Sequence, residues 1–265
     1  MPKQRNDRST HREIELLDAL RRVGGSARIA NLAEVLGVSE ETIRRTSKAL
    51  AKANLVRRVH GGVFLANAEA ESSVLSRLGQ RSTEKRKIAQ AAADLIPDGA
   101  CVFLDVGSTT AFVANALHKH RKLTVVTNSL NVAQAMLNQN DNRVFLAGGE
   151  LRRTERGAFG ADTSAFLQKF YFDFAVLSVD GIDAKGGFFL LGAQEAAIAQ
   201  DVVARTRHCI VVADHLKFGQ SAPLIVCPPE QIDSFVTDRP LAPVYRKKFS
   251  EWGIKTVHVD KSALM

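Results

Sequence analysis

Asp105-Val106-Gly107-Ser108-Thr109-Thr110 follows one apolar run of the chain and opens a helical pattern. A glycine there lets the backbone approach a ligand closely. Ser108, Thr109 and Thr110 add hydroxyls beside the free N–H groups at the positive end of a helix, a combination that suits a phosphate. The segment is neither the GxxxxGK[ST] of a nucleotide-binding loop nor the GxGxxG of a dinucleotide fold. Thr127-Asn128-Ser129 has the same placement after the next apolar run, and Gly148-Gly149, Asp180-Gly181 and Asp214-His215-Leu216-Lys217-Phe218-Gly219 follow three more. Taken singly, these are caps and turns. Lys217 adds a cation able to neutralise a phosphate. Their common position makes Asp105, Gly107, Ser108, Thr109, Thr110, Thr127, Asn128, Ser129, Gly148, Gly149, Asp180 and Lys217 the candidate ligand-binding set.

The same stretch holds acids and bases. Asp105, Asp180, Asp183, Glu195, Asp214 and Lys217 are types that move protons, which defines a rival reading: a sugar-phosphate isomerase or deaminase with an accessory DNA-binding module. No histidine–carboxylate pair stands at a recognisable spacing, and nothing in the pattern suggests a metal cluster. Cys101, Cys209 and Cys227 are an odd, scattered set without a CxxC pair, which argues against both a disulfide framework and a zinc site. The expectation is a protein that is not an enzyme, with no cofactor and no metal.

A second group of residues suits nucleic acid. Residues 1–62 hold 13 Lys and Arg against 7 Asp and Glu, whereas residues 63–265 hold 23 against 21. A basic module on a near-neutral body points to a polyanion as its partner. Within the module, Ile29, Leu32, Ala33 and Leu36 form the stripe of a short helix. Gly37-Val38-Ser39 then makes a corner in which glycine ends one helix and serine caps the next. The second helix runs to about Ala53, with Asn54 as its stop. Its Ile43 and Leu50 face inward, so Thr42, Arg44, Arg45 and Lys48 face out. Two helices joined in this way make a helix-turn-helix, whose second helix enters the major groove. Leu55 to Leu65 reads as strand, Gly-Gly turn, strand, which is a wing carrying Arg57, Arg58 and His60 toward phosphates. The candidate DNA-binding set is Ser39, Thr42, Arg44, Arg45, Lys48, Arg57, Arg58, His60 and Gly61.

Further elements must hold these groups in place. Thr10-His11-Arg12-Glu13 has the form of a capping box ahead of a first helix, with Ile14, Leu17, Leu20 and Val23 as its stripe and Gly24-Gly25 as its end. Residues 66–82 are small and polar and read as a linker. Beyond them, Ala100–Leu104, Leu123–Val126, Arg143–Ala147, Phe174–Val179, Cys209–Ala213 and Phe235–Thr237 are short apolar runs, and Thr256–Val259 adds a last one. Helical stretches such as Thr110–His118 and Leu130–Asn138 lie between them. That alternation predicts a mainly parallel sheet covered on both faces, with ligands at the carboxyl ends of its strands.

Val38-Ser39, Thr42-Ile43-Arg44-Arg45 and Leu55-Val56-Arg57-Arg58-Val59-His60-Gly61-Gly62 resemble the signature of the DeoR family of bacterial repressors. The strand-end motifs, with Gly148-Gly149-Glu150-Leu151 and Asp180-Gly181-Ile182, resemble that family's effector domain. The orderings Gly148 to Arg152 and Asp180 to Asp183 are similar to those of its glycerol-3-phosphate-responsive members. The resemblance implies a winged helix-turn-helix on operator DNA, an effector domain similar in fold to ribose-5-phosphate isomerase, and a sugar-phosphate or polyol-phosphate inducer. Three positions depart from the family pattern. Thr46 and Ser47 stand where Asp and Leu are usual, with Ser47 on the inward stripe. Loss of a leucine-sized group there costs on the order of 2–4 kcal/mol unless neighbours fill the space. Loss of the acid frees Arg44 or Arg45 from an internal pair. Gly187-Phe188-Phe189-Leu190-Leu191 is unusually apolar, which alters the ligand's sugar end or buries a subunit contact.

The chain is therefore expected to be an α/β protein with an N-terminal winged helix-turn-helix (1–65), a linker (66–82) and a mainly parallel-sheet α/β sensing domain (83–265). Its expected partners are double-stranded operator DNA, a phosphorylated sugar or polyol, and further copies of itself as a homo-oligomer. No apolar stretch approaches the roughly 18 residues of a membrane span. The polar N-terminus has no apolar core of a secretory signal, so a cytoplasmic location is expected.

Overall fold

The computed structural model describes residues 7–22, 26–59, 62–65, 74–137 and 140–259. The chain divides into two compact units, Met1–Ser73 with Gly219–Ser221, and Val74–Phe218 with Ala222–Met265. No helix among the described residues is long and apolar enough to cross a membrane.

The first unit runs α1 (Asp7–Arg22), β1 (Ser26–Arg28), α2 (Ile29–Leu36), α3 (Glu40–Lys52), β2 (Val56–Val59) and β3 (Gly62–Leu65). Its three strands form an antiparallel sheet in the order β1-β3-β2, with Ala27 opposite Val63 and Val56 opposite Leu65. The corner between α2 and α3 forms as its residues dictate. Gly37 takes the left-handed conformation at φ 61°, and Ser39 Oγ accepts the Thr42 N–H at 3.2 Å. Asn54 turns left-handed at φ 55° just after α3.

Two expectations about this unit need correction. Helix α1 begins at Asp7, so Thr10 lies inside it and does not cap it. Its buried face is Leu16, Ala19 and Leu20, while Ile14 is 52% exposed. Both sets satisfy a helical repeat, and the packing of α1 on the rest of the unit selects the second. Val23, Gly24 and Gly25 lie outside the described residues. Strand β1 was not anticipated, being only three residues long and held by β3 alone. Ser47, on the inward stripe with Ile43 and Leu50, is fully buried, and its hydroxyl donates to Arg44 O at 3.0 Å. The polar group is satisfied within its own helix, and Leu16, Leu20, Leu32, Ile43, Leu50 and Val63 form one core in this unit.

The second unit begins with α4 (Val74–Gly79) and α5 (Ser82–Ala93). Helix α4 falls inside the stretch read as linker. Val74 is fully buried and its N–H bonds Thr154 O at 3.0 Å. A single turn and a half is too short to show a period, so tertiary packing alone makes this helix. A seven-stranded sheet follows, from β4 (Cys101–Leu104), β5 (Thr124–Thr127), β6 (Arg143–Leu146), β9 (Phe172–Ser178), β12 (Thr206–Val212), β14 (Ser234–Thr237) and β15 (Lys255–His258). All six of its pairings are parallel, in the order β15-β14-β12-β9-β4-β5-β6. The chain builds from β4 outward to β6, then returns to the other side of β4 and builds outward to β15. The order of the sheet therefore reverses between β4 and β9.

The sheet is buried on both faces, as its unbroken apolar strands require. Val102, Leu104, Val125 and Val176 pack with Ile88, Ala92, Val113 and Ala114 from α5 and α6 (Ser108–Ala116). Phe103, Phe172, Ala175 and Leu177 pack on the opposite face with Ile198 and Val202 of α9 (Ala193–Val203) and Phe249 of α10 (Pro243–Glu251). The remaining helices are α7 (Leu130–Met136) and α8 (Ala161–Leu167). Two small antiparallel sheets were not anticipated: β7 (Glu150–Arg152) with β8 (Gly157–Phe159), and β10 (Gly181–Asp183), β11 (Gly187–Leu190) and β13 (Leu224–Ile225). Strand β11 is the unusually apolar segment. Phe188 is buried against Phe235, Phe249 and Trp252 of its own unit, so its bulk serves an internal core.

Candidate functional site

The carboxyl ends of β4 and β9 open into a pocket. Asp105, Val106, Gly107, Ser178 and Asp180 line it, with Asn128, Arg77, Glu195 and an apolar wall of Phe103, Phe159, Leu177, Leu190, Ile198 and Ala199. Its empty space is about 440 Å³ including the open mouth. This is the point where the strand order reverses, the crevice in which doubly wound sheets bind ligands.

Asp105 has a different task from the one its type suggested. Its Oδ1 accepts from Gly107 N at 2.8 Å and from the Thr110 hydroxyl, and its Oδ2 accepts from Ser178 N at 2.6 Å and Ser178 Oγ at 3.0 Å. It ties the end of β4 to the end of β9. Burial pushes its pKa up, and the hydrogen bonds from Thr110, Ser178 and Gly107 oppose that shift. Gly107 is likewise dictated by protein. A Cβ there would lie 1.9 Å from Ser178 Oγ. Its lack of a side chain serves the approach of β9, as well as lining the pocket.

The other predicted residues divide. Ser108 and Thr109 are buried in the first turn of α6, next to Gly107. Thr110 Oγ1 bonds back to Gly107 O at 2.8 Å. Thr127 donates to Leu104 O at 2.6 Å and accepts the Ser129 N–H at 3.0 Å, while Ser129 caps α7 through Val132 N. Thr127 and Ser129 are thus used by the backbone. Asn128 is the member of that trio that reaches the pocket: its Nδ2 donates to Ala158 O at 3.0 Å, and its Oδ1 is buried without a partner. Gly148 and Gly149 do not line the pocket. They are exposed and form the turn into β7, where a Cβ on Gly149 would meet Thr163 Oγ1 at 2.2 Å.

Asp180 and Lys217 do come together, and they bring cations that were not anticipated. Asp180 Oδ1 lies 3.6 Å from Arg77 Nη1 and 3.8 Å from Lys217 Nζ. Arg81 Nε pairs with Asp214 Oδ2 at 3.0 Å, and Lys85 Nζ donates to Arg77 O. Burial lowers Lys85 to a pKa of about 8 against the pull of Asp214, and burial also lowers Lys217 against Asp180. Glu195 is pushed up to about 8 by burial and by the neighbouring Asp180. Arg77, Arg81, Lys85 and Lys217 therefore gather with Asp180 and Asp214 beside a Glu195 that keeps its proton to about pH 8, four basic side chains against three acids, and the cluster meets the pocket through Arg77, Asp180 and Glu195. The missed signal was visible: Arg77, Arg81 and Lys85 recur every four residues.

In the first unit α3 presents an exposed face. Arg44, Arg45 and Lys48 are exposed, as are Arg57 and Arg58 on β2. Arg44 is not freed by the absence of an acid at position 46. It pairs with Glu40 at 2.6 Å and lies 3.7 Å from Glu41 on its own helix. Arg45 and Lys48 make no ion pair among the described residues. Ser39 and Thr42 join through their hydroxyls at 2.9 Å as the cap of the helix. His60 and Gly61 lie outside the described residues.

Comparison with known proteins matches each unit to a family profile. Residues 12–69 match the DeoR-like helix-turn-helix domain, and residues 80–239 match the DeoR C terminal sensor domain. The chain belongs to the DeoR family. It is 37% identical over 209 residues to the glycerol-3-phosphate regulon repressor of Escherichia coli K12, covering 79% of this chain and 83% of that one. It is 40% identical over 192 residues to the glycerol-3-phosphate regulon repressor of Haemophilus influenzae, covering 72% and 74%. The HTH-type transcriptional repressor CsqR of Escherichia coli K12 is 34% identical, with 86% of each chain covered. Among solved structures, a D-ribose-5-phosphate isomerase in complex with phospho-erythronic acid aligns over 52% of this chain and 54% of its own, at 18% identity and a TM-score of 0.39. The DeoR relatives named here are repressors, so the chain is grouped with regulators rather than with enzymes.

Proposed function

We propose that this DeoR-family protein is a transcriptional repressor that binds operator DNA through α3 and the β2–β3 wing and releases it when a phosphorylated sugar or polyol enters the pocket of the second unit. The observation that carries the reading is the pocket at the β4/β9 reversal with the charged cluster that meets it, in the same chain as a helix-turn-helix with an exposed basic face. The phosphate is taken by the first turn of α6 together with Lys217 and the neighbouring cations. Asp180 and Asn128 Oδ1 accept ligand hydroxyls, and the apolar wall fits the carbon skeleton. Glycerol 3-phosphate heads the candidates, because the regulons in the names of two relatives are called after it. Repressors with this motif pair on repeated half-sites, so a homo-oligomer is part of the proposal.

The rival reading, a sugar-phosphate isomerase or deaminase, has one observation in its favour: Glu195 lines the pocket and keeps its proton to about pH 8. Against it, Asp105 is occupied by four protein donors and Asp180 by two cations. One experiment separates the two. The full chain is titrated with duplex DNA from upstream of its own gene and with random duplex, at several salt concentrations, with and without a panel of phosphorylated sugars and polyols. The repressor reading expects preference for the upstream duplex and its loss with one panel member. Equal binding to both duplexes, or turnover of a panel member by the pure protein, rejects it.

A further inference from the structure

Helix α4 is the first described element after the N-terminal unit, and it places a guanidinium in the pocket. Arg77 lines the cavity beside Ser178, Asp180 and Glu195. Its Nε is buried and has no hydrogen-bond partner, while its Nη1 stands 3.6 Å from Asp180 Oδ1. Lys217 Nζ is 3.8 Å from that same oxygen. Both separations are longer than a direct N–H···O bond, so two cations share one carboxylate loosely. The backbone around Arg77 is held firmly by contrast. Lys85 Nζ bonds its carbonyl, and the Val74 N–H bonds Thr154 O. The side chain is thus the part of α4 with an unspent donor and a weakly held charge, and it lines the ligand space.

An anionic ligand offers what Asp180 does not: several oxygens that accept parallel bonds from the planar fork of an arginine. A ligand shifts a conformational equilibrium only through interactions that differ between the two states. Transfer of the Arg77 guanidinium from Asp180 to the ligand is such a difference, and it occurs on the segment that leads by chain connectivity from the DNA-binding unit. We infer that Arg77 is the residue that registers occupancy: an anionic ligand draws its guanidinium from Asp180, and the exchange alters α4 and so the DNA affinity of the chain. The inference rests on the sensor reading above and adds to it a residue and a route.

The test uses the full chain with glycerol 3-phosphate and a set of pentose and hexose phosphates as probes, and glycerol as the uncharged comparator. Probe affinity is measured by calorimetry, hydrogen exchange is followed over residues 74–81, and affinity for the upstream duplex is measured with and without saturating probe. Arg77→Gln is expected to weaken the bound phosphate ester by about 10-fold or more, the worth of a charge-assisted bond, and Arg77→Lys to recover part of it. At concentrations that saturate Arg77→Gln, the probe is expected to leave both the exchange of 74–81 and the DNA affinity where they stood without it. Asp180→Asn is expected to tighten the same ester, and to do so less once Arg77 is replaced, as a double-mutant cycle reads directly. A merely structural Arg77 would lower stability without uncoupling saturated ligand from DNA. An Arg77→Gln chain that binds the ester like its parent, or that still shifts DNA affinity at saturation, overturns the inference and leaves the sensor reading intact. A parent chain that binds none of the phosphates overturns both.

Discussion

At the scale of single residues, type and role part company at Asp105. A carboxylate at a strand end reads as a ligand acceptor, but here four protein donors take its oxygens. Asp105→Asn would turn an amide NH₂ toward at least one of these donors. It is expected to cost about 1–3 kcal/mol, seen as a lower urea midpoint for the second unit, whereas a ligand-contact residue would leave the midpoint in place. Glu195 and Lys85 make a pH prediction. Glu195 holds its proton to about 8 against an ordinary 4.5, so the folded chain binds a proton that the unfolded chain has released. Its contribution to stability therefore falls as pH rises across that window. Lys85, lowered from 10.5 to about 8, acts in the opposite sense at higher pH: its contribution to stability rises between about 8 and 10.5. For an anionic ligand the two groups agree, because above about pH 8 one gains negative charge and the other loses positive charge. Affinity for a phosphate ester is expected to drop between pH 7 and 9, with a shallower drop in Glu195→Gln. A flat profile in the parent would count against the cation cluster as the anion's site.

At the scale of elements, α3 shows how local signals and partners combine. The corner and cap of this helix, Gly37 and Ser39, and its stop, Asn54, are each set by the residues beside them, and each formed as its residue types require. Its outer face is less uniform than a list of cations implies. Arg44 is engaged by Glu40, while Arg45 and Lys48 carry no ion pair among the described residues. Arg45→Gln and Lys48→Gln are each expected to weaken DNA binding and to lower the salt slope by about one. Glu40→Gln releases Arg44 and is expected to strengthen binding at low salt. An unchanged salt slope in the first two variants would mean that α3 does not meet phosphate. Helices α1 and α4 were the hard cases. Helix α1 offered two apolar stripes with the same period, and α4 was too short to offer any. In both, the deciding contact comes from residues distant in sequence, which a local pattern does not contain.

At the scale of the whole molecule, the sheet is what brings dispersed residues together. Asp105, Asn128, Ser178 and Asp180 are spread over some 75 positions, and they converge because parallel strands deliver their carboxyl ends to one edge. The reversal of strand order between β4 and β9 opens the crevice there and not at the end of β6, which is why Gly148 and Gly149 are left outside. Since the pocket belongs to the larger unit, a ligand at about 100 times its Kd is expected to add about 2.7 kcal/mol to that unit. Scanning calorimetry should show one transition moving up with ligand and the other staying. Equal movement of both transitions would place ligand on both units.

The sequence by itself determined the alternation of buried strands and helices, the helix-turn-helix corner and the basic character of the first unit. These follow from periodicity, capping and charge, all of which act over a few residues. It also marked the strand ends, where the pocket opens. Tertiary structure decided which strand-end residues reach the pocket and which are taken by the backbone: Asn128 reaches it, while Thr127 and Ser129 do not. It decided as well that Arg77, Arg81 and Lys85 join Asp180, Asp214 and Lys217. That grouping depends on pairing across more than a hundred residues, where burial and Coulomb attraction act through space and leave no local pattern.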